Sequence, residues 1–157
     1  MANTYAKIYF HIVFTVKNRQ SLIHKNIQDE LYKYITGIIS NRGQKLMIIN
    51  GYRDHVHLLL GCTTSFRLDE MVREIKEHSS KWINSRKFLR GKFNWQSGYA
   101  AFSVASWNYQ DIYDYIANQE EHHRTKTFME EYLEFLKEAN IDYDPRYIFI
   151  DPNTVEE

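Results

Sequence analysis

Two kinds of apolar spacing alternate along the chain, and their order limits the fold more than any other feature. Apolar runs rich in aromatic and β-branched residues indicate strands, whereas apolar residues three or four positions apart indicate helices. The strand-type segments are residues 5–16, 45–50, 54–62 and 98–105. The helix-type segments are residues 27–41, 65–87, 109–124 and 128–139. The order is therefore β-α-β-β-α-β, followed by further helices.

This order predicts an α+β fold with the split βαβ arrangement of ferredoxin-like and RNA-recognition-type (RRM-like) domains. We expect an antiparallel sheet with helices packed on one face and extra C-terminal helices. A tight turn at residues 51–53 joins the second and third strands as a hairpin. No repeat or Pro/Gly-rich linker divides residues 1–157, so we expect a single domain. Because this fold hosts many activities, function has to be argued from particular residues.

Composition limits the cellular setting. Cys62 is the lone cysteine of the 157 residues, so an internal disulfide is excluded and a reducing compartment is favoured. The chain shows neither a signal-peptide pattern nor an apolar run near the roughly 20 residues of a membrane helix. These features predict a cytoplasmic protein without membrane contact.

The zero net charge conceals an asymmetry between the two parts of the chain. Residues 1–110 contain 16 Lys and Arg against 7 Asp and Glu, which gives +9. Residues 111–157 contain 4 against 13, which gives −9. A basic body with an acidic tail is able to bind a polyanion locally, although an acidic solvated helix would give the same numbers.

The third strand-type segment carries two histidines around one aliphatic residue. Side chains alternate between the faces of a strand, so His55 and His57 should point to one face and Val56 to the other. Two neighbouring imidazoles on a sheet form half of a metal site or an acid–base pair. Histidines that are satisfied by hydrogen bonds in a polar layer explain the same pattern.

A second pair of polar residues lies in the helix-type segment 109–124. Tyr115 and Gln119 are four residues apart, which places them on the same face of a helix. Together with His55 and His57, the amide oxygen of Gln119 would give a neutral ligand set. An oxygen ligand and a phosphate substrate favour Mg²⁺ or Mn²⁺, whereas paired histidines alone would favour zinc. Ordinary packing of Tyr115 in the core remains the alternative.

Several motifs together resemble a known family. His55-Val56-His57 is similar to the His-hydrophobe-His signature of HUH nucleases. The runs WQSGYAAFSV at residues 95–104 and YIANQEEHH at residues 115–123 resemble single-tyrosine transposases of the insertion-sequence 200 type. The resemblance extends over nearly the whole chain, to YDPRY at residues 143–147.

The resemblance implies a DNA transposase that cleaves and rejoins single-stranded DNA. His55, His57 and Gln119 would be metal ligands, and Tyr115 would be the nucleophile that forms a 5′-phosphotyrosine link and releases a 3′-hydroxyl. A second 3′-hydroxyl would reverse the step, so no nucleotide cofactor is needed. Family members bind imperfect hairpins near the ends of the element and form homodimers, in which the tyrosine helix completes either its own site or that of the partner.

Basic residues around the segment 65–87 are the candidates for phosphate contacts. The predicted DNA-binding residues are Arg53, Arg67, Arg73, Lys76, Lys81, Arg86 and Lys87. Acidic residues are interleaved with them, so a solvated helix face is the alternative. We assign His122 and His123 the role of a positive helix end and give His11 no function.

Two other functions fit the same residues. A protein that binds a nucleic-acid hairpin without cutting it, such as a domesticated transposase, would not need Tyr115, Gln119 and both histidines. A metal-dependent hydrolase that uses water would tolerate the change Tyr115→Phe, whereas the transposase would lose activity.

Overall fold

The computed structural model describes residues 3–144 and 148 of the chain. The strands are Ile8–Thr15 (β1), Lys45–Gly51 (β2), His55–Cys62 (β3) and Ala100–Val104 (β4). The helices are Lys25–Asn41 (α1), Leu68–Arg86 (α2), Tyr109–Ala117 (α3), Gln119–His122 (α4) and Phe128–Glu138 (α5). Short 3-10 turns lie at Lys17–Arg19 and Ser106–Asn108.

The strands form one antiparallel sheet in the order β2-β3-β1-β4. This order and the sequence of elements confirm the predicted split βαβ arrangement. The strand with the two histidines is internal, because β2 pairs with one edge of β3 and β1 with the other. In the pairing with β1, His55 lies opposite Thr15 and His57 opposite Val13.

Helices α1 and α2 cover the first face of the sheet. Alternate residues of β1 and β3, among them Phe14 and Leu58, point to this face and are fully buried. They pack with Leu31 of α1 and Ile75 of α2 in the larger apolar cluster. The apolar residues at helical spacing in the sequence therefore serve as core on this side.

The C-terminal helices cover the second face. Ile116 of α3 packs on Leu59 and Val104, and α5 packs on Val13 and Ala100 through Phe128 and its neighbours. His55 and His57 share this face with Leu59, since side chains two residues apart point the same way. The candidate site thus lies between the sheet and α3–α5.

The predicted helix over residues 109–124 is wrong in one respect, because two helices occupy it. Asn118 has φ −104° and ψ 28°, which ends α3 before Gln119. Its side-chain amide donates to the carbonyl oxygen of Asp114 over 2.8 Å. Asparagine competes for backbone carbonyls in this way and so favours helix ends.

The turn between β2 and β3 depends on a glycine. A Cβ atom added at Gly51 would lie 2.1 Å from the carbonyl oxygen of His55 and 2.9 Å from the Cα of Val56. Glycine therefore allows the close backbone approach that starts β3 at the first histidine. Residues 145–147, the end of the YDPRY segment, lie outside the described part of the chain. None of the described helices is long and apolar enough to cross a membrane.

Candidate active site

The two histidines of β3 lie side by side beneath the C-terminal helices. The side chains of His55 and His57 are fully buried, with ring centroids 5.1 Å apart and ring planes at 79°. Val56 points to the opposite face and joins the core beneath α1 and α2. The strand therefore fixes the spacing of the two imidazoles, as the alternation in the sequence predicts.

Each histidine is held at its Nδ1 atom by a neighbouring side chain. Nδ1 of His55 lies 2.7 Å from Oδ1 of Asp54, and Nδ1 of His57 lies 2.8 Å from Nε2 of His11 on β1. Such contacts fix the ring orientation of metal-binding histidines and leave Nε2 for the ion. His11, to which the sequence analysis gave no function, is thus part of the site.

Gln119 and Glu131 face the Nε2 atoms from the helical side. Oε1 of Gln119 lies 3.0 Å from Nε2 of His55, and Oε1 of Glu131 lies 2.8 Å from Nε2 of His57. The amide of Gln119 also donates to Oε1 of Glu131 over 3.2 Å. Both side chains are buried. The structure thus brings the three predicted ligands together and adds a carboxylate that was not predicted.

His123 is a further contact of this carboxylate. Its Nε2 atom lies 2.7 Å from Oε2 of Glu131 and 3.2 Å from Oε1 of Gln119. The His123 side chain is 5% exposed and its ring stacks on Tyr52. A simple helix-end charge does not describe this residue, because its ring faces the interior of the site.

Tyr115 lies beside the histidines of its own chain. Its half-buried ring is 6.0 Å from that of His57 and stacks on His122 with centroids 4.5 Å apart. Glu131 and Gln119 are close enough to influence the pKa of its phenol. Although α3 ends before Gln119, the nucleophile candidate and the ligand candidate still face the same space.

Burial and hydrogen bonding set the charges of the site. Burial lowers the pKa of His57 to about 4. Burial alone would raise the pKa of Glu131, but the close imidazoles of His123 and His57 outweigh it and lower that pKa below its ordinary value. Burial and the nearby Glu131 raise the pKa of the Tyr115 phenol. At neutral pH, His57 is neutral, Glu131 is ionised and Tyr115 keeps its proton.

These donors fit a divalent cation. One ligand atom from each of His55, His57 and Glu131 lies within 4.8 Å of the other two. Nε2 of His57 and Oε2 of Glu131 are buried without a partner in hydrogen-bond geometry, although polar atoms lie close to both. Buried polar atoms without such partners are costly, and an ion between them would remove that cost. The ligand set expected from the sequence was neutral, whereas Glu131 adds a negative charge.

The predicted DNA-binding residues of α2 lie over the opposite face of the sheet from the histidines. Three of them form exposed ion pairs: Arg67 with Asp69 and Glu70, Lys81 with Glu77, and Arg86 with Glu30. Arg73 is exposed, and Lys87 ends the helix with φ 54°. If these residues bind DNA, they contact a part of it away from the histidines.

Lys76 and Arg53 differ from that group. The Lys76 ammonium donates to the carbonyl oxygens of Gln96 and Gly98, and burial lowers its pKa to about 8. Lys76 therefore holds the segment before β4 and is not a freely exposed cation. Arg53 is exposed in the β2–β3 turn, next to the Asp54 that holds His55.

The spacing of residues in α5 is a sequence signal for Glu131. In α5 the buried positions are Phe128, Glu131, Tyr132 and Leu136, which lie on one helical face. A carboxylate among apolar residues at this spacing indicates a buried partner. No comparable spacing links His11 to His57, because strand pairing brings them together.

Comparisons with known proteins identify the family of the chain. Residues 4–119 match the family described as "Transposase IS200 like". The ISDra2 transposase TnpA of Deinococcus radiodurans is 24% identical over 118 residues, which cover 72% of this chain and 84% of that protein.

Two solved structures share the fold. A crystal structure of a transposase from Deinococcus radiodurans R1 has a TM-score of 0.62 at 24% identity, and the match covers 76% of this chain and 95% of that one. A REP-associated tyrosine transposase bound to a REP hairpin has a TM-score of 0.61 at 17% identity, with coverage of 78% and 73%. Because the family match spans most of the sequence, this chain belongs to the IS200-like transposases, and its activity is that of a DNA transposase.

Proposed function

We propose that this transposase cleaves and rejoins single-stranded DNA at hairpin-bearing ends, with Tyr115 as nucleophile and His55, His57 and Gln119 as metal ligands. The observation that carries the proposal is the convergence on one face of the sheet of Nε2 of His55, Oε1 of Gln119 and the ring of Tyr115, which lies 6.0 Å from that of His57. A pure binding protein has no need for this combination.

The reaction would exchange one phosphate ester for another. The phenolic oxygen of Tyr115 attacks the phosphorus and gives up its proton, while the bond to the 3′-oxygen breaks and that oxygen leaves as a 3′-hydroxyl. The 5′-phosphate then remains on Tyr115. Attack by a second 3′-hydroxyl reverses these changes and restores the free tyrosine. Because each step exchanges equivalent bonds, no nucleotide cofactor has to supply energy.

The ligand residues would hold Mg²⁺ or Mn²⁺. When bound, such a cation polarises the phosphodiester and favours the phenolate form of a nearby tyrosine. His11 and Asp54 keep the two histidine rings in place at their Nδ1 atoms. Glu131, which lies against His57, extends the donor set by one carboxylate.

The substrate part of the proposal is supported by the relative that is bound to a REP hairpin.

A homodimer is proposed from the family resemblance. Tyr115 lies beside its own chain's histidines here, so we propose that the site works within one chain. Mixing a His57→Ala variant with a Tyr115→Phe variant tests this point. Recovery of activity in the mixture would instead indicate a site shared between two subunits.

Covalent trapping tests the mechanism. Single-stranded DNA with the element-end hairpin is labelled at its 3′ end, incubated with protein and Mn²⁺, and separated under denaturing conditions. The 3′-labelled fragment should move with the protein, whereas a 5′ label should leave with the released fragment. Tyr115→Phe should abolish the adduct. Tyr113→Phe is the matched control, because Tyr113 lies on the same helix and packs beside Tyr109.

The other outcomes separate the alternatives. An adduct that persists in Tyr115→Phe would move the nucleophile to another tyrosine. If Tyr115→Phe still cleaves the DNA and no adduct forms, the protein would be a hydrolase that uses water. Tight binding of the hairpin without cleavage, with metal present, would favour a protein that only binds the hairpin.

A further inference from the structure

An open cavity of about 350 Å³ lies beside the candidate metal ligands. Its walls come from the turn after β1, the β2–β3 turn and residues 123–130. Asp54, which holds His55, and His123, which contacts Glu131, both line it. The volume is within the range of small-molecule sites, and we call this space the entry cavity.

The entry cavity is lined by three cations and two carboxylates. Arg19, Arg124 and Lys126 supply the positive charges, and Asp54 and Glu130 the negative ones. Asp54 is engaged with His55, and Glu130 accepts a hydrogen bond from the backbone of Thr127 at the start of α5. The cavity is therefore net positive by formal charge.

Two of the cations are readily available to a ligand. Arg124 pairs with Glu121 at 3.6 Å, and Lys126 pairs with Glu134 at 2.7 Å. All four side chains are well exposed, between 39% and 72%. Exposed pairs of this kind are weak, so a phosphate group can replace the carboxylates at little cost.

Arg19 is held differently. Its side chain is 14% exposed, and its Nε atom is buried without a hydrogen-bond acceptor. The nearest carboxylate oxygen, Oδ2 of Asp54, lies 3.8 Å from Nε. The guanidinium lies over the ring of Phe128 at 5.9 Å from its centroid. The guanidinium carries five N–H donors, and the residue lines the cavity, so it is placed to donate to an anionic ligand there.

The backbone conformation of Asn18 and Arg19 is also unusual. Asn18 and Arg19 have φ values of 56° and 54°, a region that residues other than glycine rarely adopt. The N–H of Asn18 donates to the side chain of Gln96, and that of Arg19 to the carbonyl of Val16. These bonds fix the turn that directs Arg19 towards Asp54 and the cavity.

We propose that Arg19, Arg124 and Lys126 bind the backbone of single-stranded DNA next to the cleaved phosphodiester, so that the strand reaches the site through the entry cavity. This proposal rests on the proposed function, since it names how that substrate is held. Planar guanidinium groups suit phosphate oxygens, and backbone phosphates dominate affinity for nucleic acids. The cations of α2 lie over the other sheet face, so they do not serve this purpose.

The salt dependence of DNA binding tests the proposal. The probe is a short fluorescent oligothymidylate without a hairpin, bound to protein with Tyr115→Phe and without metal. Each single-strand phosphate contact contributes about 0.7 to the slope of log affinity against log salt concentration. Arg19→Gln, Arg124→Gln and Lys126→Gln should each reduce this slope by about that amount. Lys33→Gln on α1 and Lys45→Gln on β2 remove exposed cations away from the cavity, so these matched controls should leave it unchanged.

Other results would contradict the proposal or require a second variant. An unchanged slope in all three cavity variants would overturn it. If Arg19→Gln acts only through Asp54, it will weaken Mn²⁺ binding in calorimetry without changing the slope. Should Arg19→Gln fail to fold, the exposed double variant of Arg124 and Lys126 decides the question. Because the probe protein lacks the Tyr115 hydroxyl and metal, this outcome is independent of whether Tyr115 is the nucleophile.

Discussion

The Nε2 atom of His57 on β3 lies 2.8 Å from the Oε1 atom of Glu131 on α5. This contact joins the internal strand of the sheet to a helix near the end of the described chain. It also adds a carboxylate to the candidate cation site, which a donor set of two imidazoles and one amide would lack. Helix α5 is therefore part of the site and not merely a cover over the sheet.

The charge of Glu131 should strengthen cation binding. Glu131→Gln keeps the shape of the side chain and removes its negative charge, so we expect affinity for Mn²⁺ to fall at least about tenfold, or about 1.4 kcal/mol. Calorimetric titration of the free protein measures this directly. The control is Glu134→Gln, which removes the charge of another glutamate on the same helix, one that pairs with Lys126. This variant should bind Mn²⁺ as tightly as the unaltered protein does. Equal affinities in both variants would exclude Glu131 as a ligand.

His11 should act by positioning His57. The change His11→Asn removes the ring nitrogen that lies 2.8 Å from Nδ1 of His57, so this ring loses its orientation. Contacts of this kind are worth about 10–100-fold in metal affinity. The exposed residue His78 provides the control His78→Asn. If both variants retain full affinity for Mn²⁺, the contact between His11 and His57 has no positioning role.

Gly51 should be required for the start of β3. In Gly51→Ala the new methyl group would meet the carbonyl of His55, and this clash involves backbone that cannot move without shifting the histidine. We expect a loss of several kcal/mol in the free energy of unfolding, about 2–4 kcal/mol by urea denaturation. Gly37→Ala in α1 has open space around it and should stabilise by up to about 1 kcal/mol. A neutral Gly51→Ala would contradict the tight turn.

Phe93 should be a main support of the core below α2. It is fully buried, and its ring packs edge-on against Trp95 with centroids 4.9 Å apart. Phe93→Ala should lower the free energy of unfolding by about 3–5 kcal/mol, because it removes apolar contacts and leaves a cavity. Trp107→Ala removes an aromatic residue that is 89% exposed, so its effect should stay within about 0.5 kcal/mol. Similar losses in the two variants would show that burial is not what makes Phe93 important.

Much of the fold follows from local spacing. The β2–β3 hairpin and helices α1 and α2 begin and end close to the predicted positions, since apolar periodicity and the turn glycine are local signals. The division at Asn118 was not predicted. A side-chain hydrogen bond from Asn118 to the carbonyl of Asp114 accompanies it, and one asparagine within an amphipathic pattern is a weak signal for a helix end.

The residues of the site likewise include some that local spacing predicts and others that it does not. His55 and His57 are two residues apart, so the alternation of a strand is enough to place them together. Glu131 and His11 reach the site from α5 and β1, and their approach depends on how elements distant in sequence pack. The roles of Tyr115 and Gln119 remain predictions, which the trapping and binding experiments decide.

The position of β3 inside the sheet has a consequence for how the site opens. Its backbone is paired on both sides, so we expect amides in the half of the site built on His55 and His57 to exchange slowly. The short helix α4 has no such double support, and it carries Gln119. The sheet is thus the rigid side of the site. We therefore expect the helical side to loosen first, so that amide hydrogen exchange is faster in α4 than in β3.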